Sequence, residues 1–239
     1  MDTLVTTEWL AGELGAEDLV VLDCTIFLHM GDDGYISKSG LENFEAAHIA
    51  GAAFADLNEE LVDATSKLRY ALPTPERFGA AMERLGVADG KRVVLYDDNH
   101  SMWAARVWFM LRWVGFDDAA LLDGGLKAWK AQGHPTGSGA SAPAAQPAGS
   151  LSLNPRPEMI ADKADVLAAI SDGATCLIDA LPAAVFNGKA EPYARPGHIP
   201  GAINIAATSM VDADTALFKP ADEIRAMLPN RPEARTVAY

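Results

Sequence analysis

The chain has 239 residues, of which 49% are hydrophobic and 22% are charged, which is ordinary for a globular protein with room for two modest cores. Its formal net charge is −14, and an acidic chain without basic blocks is poorly suited to bind nucleic acid or an anionic membrane. The sequence predicts no membrane span, because no apolar run is long enough to cross a bilayer. It also predicts no secretory signal, because the N-terminus lacks a basic segment followed by an apolar one.

Short apolar runs alternate with amphipathic stretches through the first half. Thr7 is placed to cap a helix over residues 8–14, and the run Leu19–Asp23 predicts a buried strand that ends in an acid. Residues 31–40 predict a long polar loop. A proline directly after Thr74 predicts the start of another helix. Alternation of this kind is typical of an α/β protein with a parallel sheet.

The most informative stretch is Val93–Tyr96 together with the loop and helix after it. The apolar run predicts a buried strand, Asp97–Ser101 forms a polar loop, and a helix opens at Met102. A strand that leads through a loop into a helix N-terminus is a place to hold an anion or to activate a nucleophile. The strand recurs at the end of the chain as Thr236–Tyr239.

Three landmarks of the first half recur in the same order in the second half. Each set has an acid at a strand end, a histidine in a His-Ile-x-Gly-Ala word and a tyrosine at a strand end: Asp23, His48 and Tyr96, then Asp179, His198 and Tyr239. We therefore predict a duplication, with one domain over residues 1–135, a linker over 136–155 and a second domain over 156–239.

These repeated sequence motifs resemble those of the tandem-domain rhodanese family of sulfurtransferases. Two further motifs carry the same resemblance, Leu122-Asp-Gly-Gly125 and Tyr193-Ala-Arg-Pro-Gly-His198. The resemblance implies an α/β fold of two rhodanese-like domains, each a parallel sheet flanked by helices in the strand order 1-5-4-2-3. The first domain resembles the non-catalytic type and the second the catalytic type. The second is expected to be C-terminally incomplete.

The resemblance also implies the chemistry. These enzymes move a sulfane sulfur from an anionic donor, thiosulfate or 3-mercaptopyruvate, to a thiol or cyanide acceptor through a cysteine persulfide, without metal or cofactor. The catalytic cysteine directly follows the second-domain strand, and here that position would follow Tyr239. The matching first-domain residue is Asp97. The 239 residues are therefore expected to lack the nucleophile and to be inactive alone.

By the same resemblance, the loop before His198 binds the donor through basic side chains. Arg195 is predicted to bind the donor anion, and Lys189 is a second candidate for which a solvated loop charge is the favoured interpretation. Mercaptopyruvate enzymes usually place an arginine just before the phenylalanine of this loop. Here Val185 precedes Phe186, which leaves the donor open.

The remaining polar candidates are predicted to be structural. A histidine or acid shared by both copies is expected to be a hydrogen-bonding residue, which applies to His48, His198, Asp23 and Asp179. A metal or acid–base role for Asp97, Asp98 and His100 is disfavoured, since acid-rich loops are common. Cys24 and Cys176 lack metal spacing and are expected to be buried thiols in a cytoplasmic protein.

Two other classes of protein remain as alternatives. A catalytically silent rhodanese-like module would serve binding or regulation, and the missing nucleophile fits it. A phosphatase of related architecture would need a cysteine and an arginine closing one longer loop, and the sequence has no such loop.

Overall fold

The computed structural model describes residues 1–31, 34–140, 149–190, 195–230 and 234–239. The chain forms two compact units. The first comprises Met1–Leu28, Ser37–Pro157 and Thr215–Leu217, and the second comprises His29–Ile36, Glu158–Asp214 and Phe218–Tyr239. The division into residues 1–135, 136–155 and 156–239 stays a prediction.

Strands and helices alternate along both units. The strands are β1 (Leu4–Val5), β2 (Leu19–Asp23), β3 (Ile26–Gly31), β4 (Gly34–Ser39), β5 (His48–Ile49), β6 (Ala53–Phe54), β7 (Arg92–Tyr96), β8 (Ala119–Leu122), β9 (Thr136–Gly137), β10 (Cys176–Asp179), β11 (Ile203–Asn204) and β12 (Thr236–Ala238). The α-helices are α1 (Thr7–Glu13), α2 (Leu41–Ala46), α3 (Pro75–Arg84), α4 (Met102–Trp113), α5 (Gly125–Ala131), α6 (Lys163–Asp172), α7 (Ala183–Phe186) and α8 (Ala221–Met227).

The first unit is built on a five-stranded parallel sheet in the order β1-β8-β7-β2-β6. Strands β3, β4 and β5 belong to other sheets. When the five strands of this sheet are numbered along the chain, their order is the predicted 1-5-4-2-3, which is confirmed. Strand β7 lies at the centre, where the run Val93–Tyr96 is fully buried. Its carboxyl end is therefore held rigidly by a neighbour on each side, and the loop of interest begins there.

The core of this unit explains why these runs become strands and helices. Apolar side chains of the sheet meet the apolar stripes of α1, α2 and α5, and the largest fully buried ring is that of Trp129. Helix α3 begins at Pro75 as predicted, with Thr74 as its N-cap accepting the backbone N–H of Arg77. The cap of α1 is Thr6 rather than Thr7, whose side chain is buried instead.

One prediction for this region is wrong. The polar sequence of residues 31–40 predicts a loop, yet β3 and β4 pair as a two-stranded sheet. In β4 the exposed residues Ile36 and Lys38 alternate with half-buried ones, and the sequence signal of such a narrow ribbon is weak. A second small sheet joins β5 to β9 antiparallel, so that Thr136 and Gly137 pair with Ile49 and His48.

The second unit contains a three-stranded parallel sheet in the order β11-β10-β12. Strand β10 lies in the middle and is buried along its whole length. If β10, β11 and β12 are the second, third and fourth strands of the predicted topology, their order 3-2-4 agrees with the matching part of 1-5-4-2-3. Cys176, Ile178 and Ile205 form its small apolar cluster, against which Met210 and Met227 pack.

Candidate active site

The loop after β7 closes on the carboxylate of Asp97. Its Oδ1 accepts hydrogen bonds from the backbone N–H groups of Asn99 (2.8 Å) and Ser101 (2.9 Å). Its Oδ2 accepts from the N–H groups of Trp103 (2.8 Å) and Ala104 (2.9 Å). We call these four donors the amide ring. The ring joins the loop to the N-terminus of α4, where unpaired N–H groups favour negative charge.

The amide ring is a buried anion site that the chain fills itself. Asp97 is 2% exposed, and burial raises the pKa of its carboxyl group, while the four N–H donors oppose that rise by stabilising the carboxylate. His100 and Ser101 take left-handed φ angles of 59° and 61°, which bend the loop around the carboxylate. The position directly after this strand therefore presents four backbone donors to the acceptor group that stands there.

A tyrosine ends the corresponding strand in each unit and makes the same contact. The hydroxyl of Tyr96 accepts the backbone N–H of Ile49 at 3.1 Å. The hydroxyl of Tyr239 accepts the N–H of Ile199 at 2.8 Å. We call β7 and β12 the site strands. In both units this hydrogen bond ties the site strand to the repeated His-Ile motif.

The two histidines of that word make matching structural contacts. His48 stacks on Phe44 with ring centroids 3.9 Å apart, and its Nδ1 lies 2.7 Å from the Phe44 carbonyl oxygen. His198 stacks on Phe186 at 3.7 Å, with Nδ1 2.8 Å from the Phe186 carbonyl oxygen. The prediction that both are structural hydrogen-bonding residues is confirmed. The phenylalanine partners were not foreseen, because the two Phe–His spacings differ.

Asp23, at the end of β2, ties that strand to the loop of Asp97 through a threonine. Its Oδ1 accepts the backbone N–H (2.9 Å) and the hydroxyl (2.5 Å) of Thr25, and the Thr25 hydroxyl oxygen accepts the N–H of Asp98 at 3.1 Å. Burial raises the pKa of Asp23 to about 6. The predicted loop-tying role is confirmed. The sequence did not single out Thr25, which lacks a counterpart hydroxyl in the second half.

The matching acid of the second unit is also buried. Asp179 is fully inaccessible, and its Oδ1 accepts the backbone N–H of Leu181 at 2.8 Å. Leu181 stands where the first unit has Thr25, and a leucine side chain cannot make the hydroxyl hydrogen bonds of that threonine. Asn204 donates its Nδ2 hydrogens to the carbonyl oxygens of Asp179 and Leu181 instead.

The predicted donor-binding residues lie between Phe186 and His198, a stretch we call the donor loop. Of this loop, Glu191, Pro192, Tyr193 and Ala194 lie outside the described residues. Lys189 and Arg195 are both exposed, and neither forms an ion pair with a carboxylate in the described part of the chain. No described contact joins the two cations to each other. Val185, at the position where mercaptopyruvate enzymes usually have an arginine, is 4% exposed.

Both cysteines are buried, as predicted. Cys24 is fully buried, and burial together with the nearby Asp23 and Asp97 raises the pKa of its thiol well above the usual range. Cys176 is 7% exposed within the middle strand β10 and packs in the apolar cluster of the second unit. Neither sulfur lies at the end of a site strand.

Within the described ranges, no group of three or more His, Cys, Asp or Glu side chains is arranged to hold a metal ion. The acids and the histidine of the Asp97 loop form no such group there. The same residues contain no helix long and apolar enough to cross a bilayer.

The parallel sheet flanked by helices, with a ring of backbone amides at the end of its central strand, places the chain in the α/β class. The chain belongs to the rhodanese family: residues 6–132 match the rhodanese-like domain. It is 36% identical over 245 residues to a probable 3-mercaptopyruvate sulfurtransferase of Pseudomonas aeruginosa, covering 99% of this chain and 83% of the relative.

Two further comparisons agree with that family. The chain is 32% identical over 245 residues to thiosulfate/3-mercaptopyruvate sulfurtransferase 2 of Arabidopsis thaliana, covering 94% of this chain and 70% of the relative. Its structure is similar to the crystal structure of the 3-mercaptopyruvate sulfurtransferase SseA from Escherichia coli. The TM-score is 0.85 at 31% identity, over all of this chain and 88% of the other. By family, this is a sulfurtransferase of the rhodanese fold.

Proposed function

We propose that the chain belongs to an enzyme that moves a sulfane sulfur from thiosulfate or 3-mercaptopyruvate to a thiol or cyanide acceptor through a cysteine persulfide. The observation that carries this proposal is the amide ring around Asp97. Four converging N–H donors at a helix N-terminus are what a thiolate or persulfide needs to remain ionised. The Asp97 carboxylate accepts all four of these N–H groups, which supports the proposal that an anionic sulfur could be bound in the same way.

We place the nucleophile at the position directly after Tyr239. Tyr239 and Tyr96 make the same hydrogen bond to the His-Ile word, and Asp97 follows Tyr96. This placement rests on the proposal that the second unit is a second rhodanese domain. Cys24 and Cys176 are too buried to attack a dissolved donor, so the 239 residues alone are expected to form no persulfide.

The chemistry is a double displacement. With thiosulfate, the thiolate attacks the outer sulfur, a new S–S bond forms, the old S–S bond breaks and sulfite leaves with the bonding electron pair. Cyanide or a thiolate then attacks the outer persulfide sulfur, which releases the enzyme thiolate. The persulfide stores the sulfur between the two steps, and the amide ring stabilises each anionic sulfur species.

The donor is proposed to bind Arg195, with Lys189 as a second contact. Both side chains are exposed, so each is accessible to an anion from the solvent. Val185, which directly precedes Phe186, is uncharged. The names of the relatives include both thiosulfate and 3-mercaptopyruvate as donors. We therefore propose a site for small anionic donors without choosing between thiosulfate and 3-mercaptopyruvate.

The test is a titration of the 239-residue chain with thiosulfate, followed by NMR of the donor-loop amides. Arg195→Ala should weaken binding about tenfold, the loss expected for one exposed charge-assisted contact. Arg225→Ala removes an equal charge from an exposed position on α8 and should leave binding unchanged. Equal affinities for the wild type and Arg195→Ala would remove Arg195 from the site.

A catalytically silent binding module remains the second candidate. It is favoured by Asp97, which occupies the amide ring of the first unit and leaves no sulfur there. A silent module would bind an anion or a partner without turnover in any longer form of the chain. The acceptor and the cytoplasmic location stay predictions from the sequence.

A further inference from the structure

Two neighbouring donors on helix α4 have no hydrogen-bond acceptor. The indole Nε1 of Trp103 and the guanidinium Nε of Arg106 are both buried, and within the described ranges neither donates a hydrogen bond. Trp103 as a whole is only 6% exposed. Residues three positions apart lie on the same face of a helix, so the two groups belong to one patch of α4. Folded proteins leave few buried donors without an acceptor, so this pair points to a partner from outside the chain.

Tyr70 packs against both of these side chains. Its ring centroid lies 4.7 Å from that of Trp103, and the Arg106 Cζ atom lies 6.0 Å from the centroid of the tyrosine ring. The Arg106 Nη2 group donates a hydrogen bond to the Tyr70 carbonyl oxygen. The Tyr70 hydroxyl donates to Ser37 Oγ at 2.7 Å, and that hydroxyl donates in turn to Asn58 Oδ1 at 2.6 Å. The two donors without an acceptor are therefore held around one fixed side chain.

The charge of Arg106 also lacks a counterion. Within the described ranges Arg106 forms no ion pair, whereas Arg112, on the same helix, lies 3.6 Å from a carboxylate oxygen of Asp117. Burial lowers the pKa of the Arg106 guanidinium, because the surrounding protein disfavours the charged form. A cation of this kind is stabilised best by an anion that also accepts its N–H groups.

We propose that Trp103 and Arg106 form a binding site for a small oxyanion, which accepts the Nε1–H and Nε–H groups and balances the arginine charge. The indole and the guanidinium only donate hydrogen bonds, and the oxygens of such an anion only accept them. Arg106 is half-buried, so motion of its side chain admits the anion from the solvent. Inorganic oxyanions such as sulfate and the carboxylates of small organic acids share this chemistry.

The site goes beyond the proposed function. All of its residues lie in the first unit, and neither cysteine belongs to it. It binds an anion whether or not the second unit transfers sulfur, so a failure of one proposal leaves the other standing.

The indole N–H resonance of Trp103, in a proton–nitrogen correlation spectrum of the 239-residue chain, measures the site. Trp103→Phe assigns the resonance by removing it. Sodium sulfate should shift the resonance along a saturating curve, whereas sodium chloride at equal ionic strength should not, because screening alone provides no acceptor. Trp108 and Trp129 already donate their indole N–H groups to backbone carbonyl oxygens, so their resonances should stay in place.

A matched pair of arginine variants tests the charge. Arg106→Met removes the guanidinium but keeps an apolar side chain, and the affinity for sulfate should fall by about tenfold or more. Arg112→Met removes the same group from a position that already has Asp117 as its partner, and it should leave the affinity unchanged. Unshifted Trp108 and Trp129 resonances in each variant show that the fold is retained.

A titration with sodium acetate identifies the source of the anion. Saturation at a lower concentration of acetate than of sulfate would assign the site to carboxylates, and the reverse order would assign it to inorganic oxyanions. A Trp103 resonance that moves with neither anion, or equally with sulfate and chloride, would overturn the site. An Arg106→Met variant that saturates at the same sulfate concentration as the wild type would overturn it as well.

Discussion

At the scale of single residues, Asp97 is the best-defined group in the chain. Its two carboxylate oxygens receive four backbone N–H donors, so its side chain organises the whole loop between β7 and α4. A buried donor that loses its acceptor costs about 1–3 kcal/mol. The site in the first unit is therefore a structural anchor as well as a mark of where an anion belongs.

Asp97→Asn tests this anchor. The amide nitrogen that replaces one oxygen would face two N–H groups, so we expect the free energy of unfolding to fall by roughly 2–4 kcal/mol. Asp98→Asn changes the neighbouring acid and should cost less, since the four bonds converge on Asp97. Urea unfolding of both variants measures the difference. Equal losses for the two would show that the amide ring does not depend on a carboxylate.

Asp23 predicts a pH dependence of stability. Burial raises its pKa from 3.8 to about 6, so the folded protein binds this proton more tightly than the unfolded chain does. The stabilising contribution is fully present below pH 4 and is lost as the pH rises through 6, a change of roughly 3 kcal/mol. Asp23→Asn should flatten this part of the profile, whereas Asp2→Asn at an exposed position should not. A wild-type slope retained in Asp23→Asn would contradict the assignment.

At the scale of elements, the two site strands differ in how they are held. Strand β7 pairs with β2 and β8 and is buried, whereas β12 pairs with β10, and two of its three residues are exposed. Backbone hydrogen bonds at a partly exposed strand open more easily than those in a sheet centre.

Amide hydrogen exchange measures this difference. Val93–Tyr96 should exchange at least about a hundredfold more slowly than Thr236–Ala238 under native conditions. The β8 amides of Ala119–Leu122 serve as a control, since they lie in the same sheet as β7 and should also be protected. Equal protection in β7 and β12 would show that the second unit is as stable as the first.

The elements also show why some structure was predictable from the sequence. The buried strands β2, β7, β8 and β10 are short apolar runs bounded by turn residues, and the Thr74–Pro75 pair marks a helix start by its own chemistry. The β3–β4 ribbon was missed because a half-exposed strand carries little apolar signal. Thr6 and Thr7 are equally good caps in sequence, and tertiary burial of Thr7 decides between them.

The candidate site was predictable to a similar degree. Repeated acids and histidines indicated structural roles, and the contacts of Asp23 and His198 bear this out. Thr25 was missed because its hydrogen bond with Asp98 spans 73 residues. The contact of Phe186 with His198 was missed because the Phe–His spacing differs between the two units. A donor role for Arg195 stays a prediction, since its geometry depends on a ligand rather than on packing.

At the scale of the whole molecule, we propose that the chain carries two related sites in different states. The first has its amide ring filled by Asp97, and the second carries the exposed cations of the donor loop. Both use the tyrosine-to-isoleucine bond to fix the strand that leads to the site. Our central proposal is that neither Cys24 nor Cys176 is the sulfur nucleophile.

Cyanide-releasable sulfur after incubation with thiosulfate tests that claim most directly, measured on the 239-residue wild type and on its Cys24→Ser and Cys176→Ser variants. We predict none on any of the three, because Cys24 and Cys176 are buried. Loading of the wild type that Cys24→Ser or Cys176→Ser abolishes would contradict the claim.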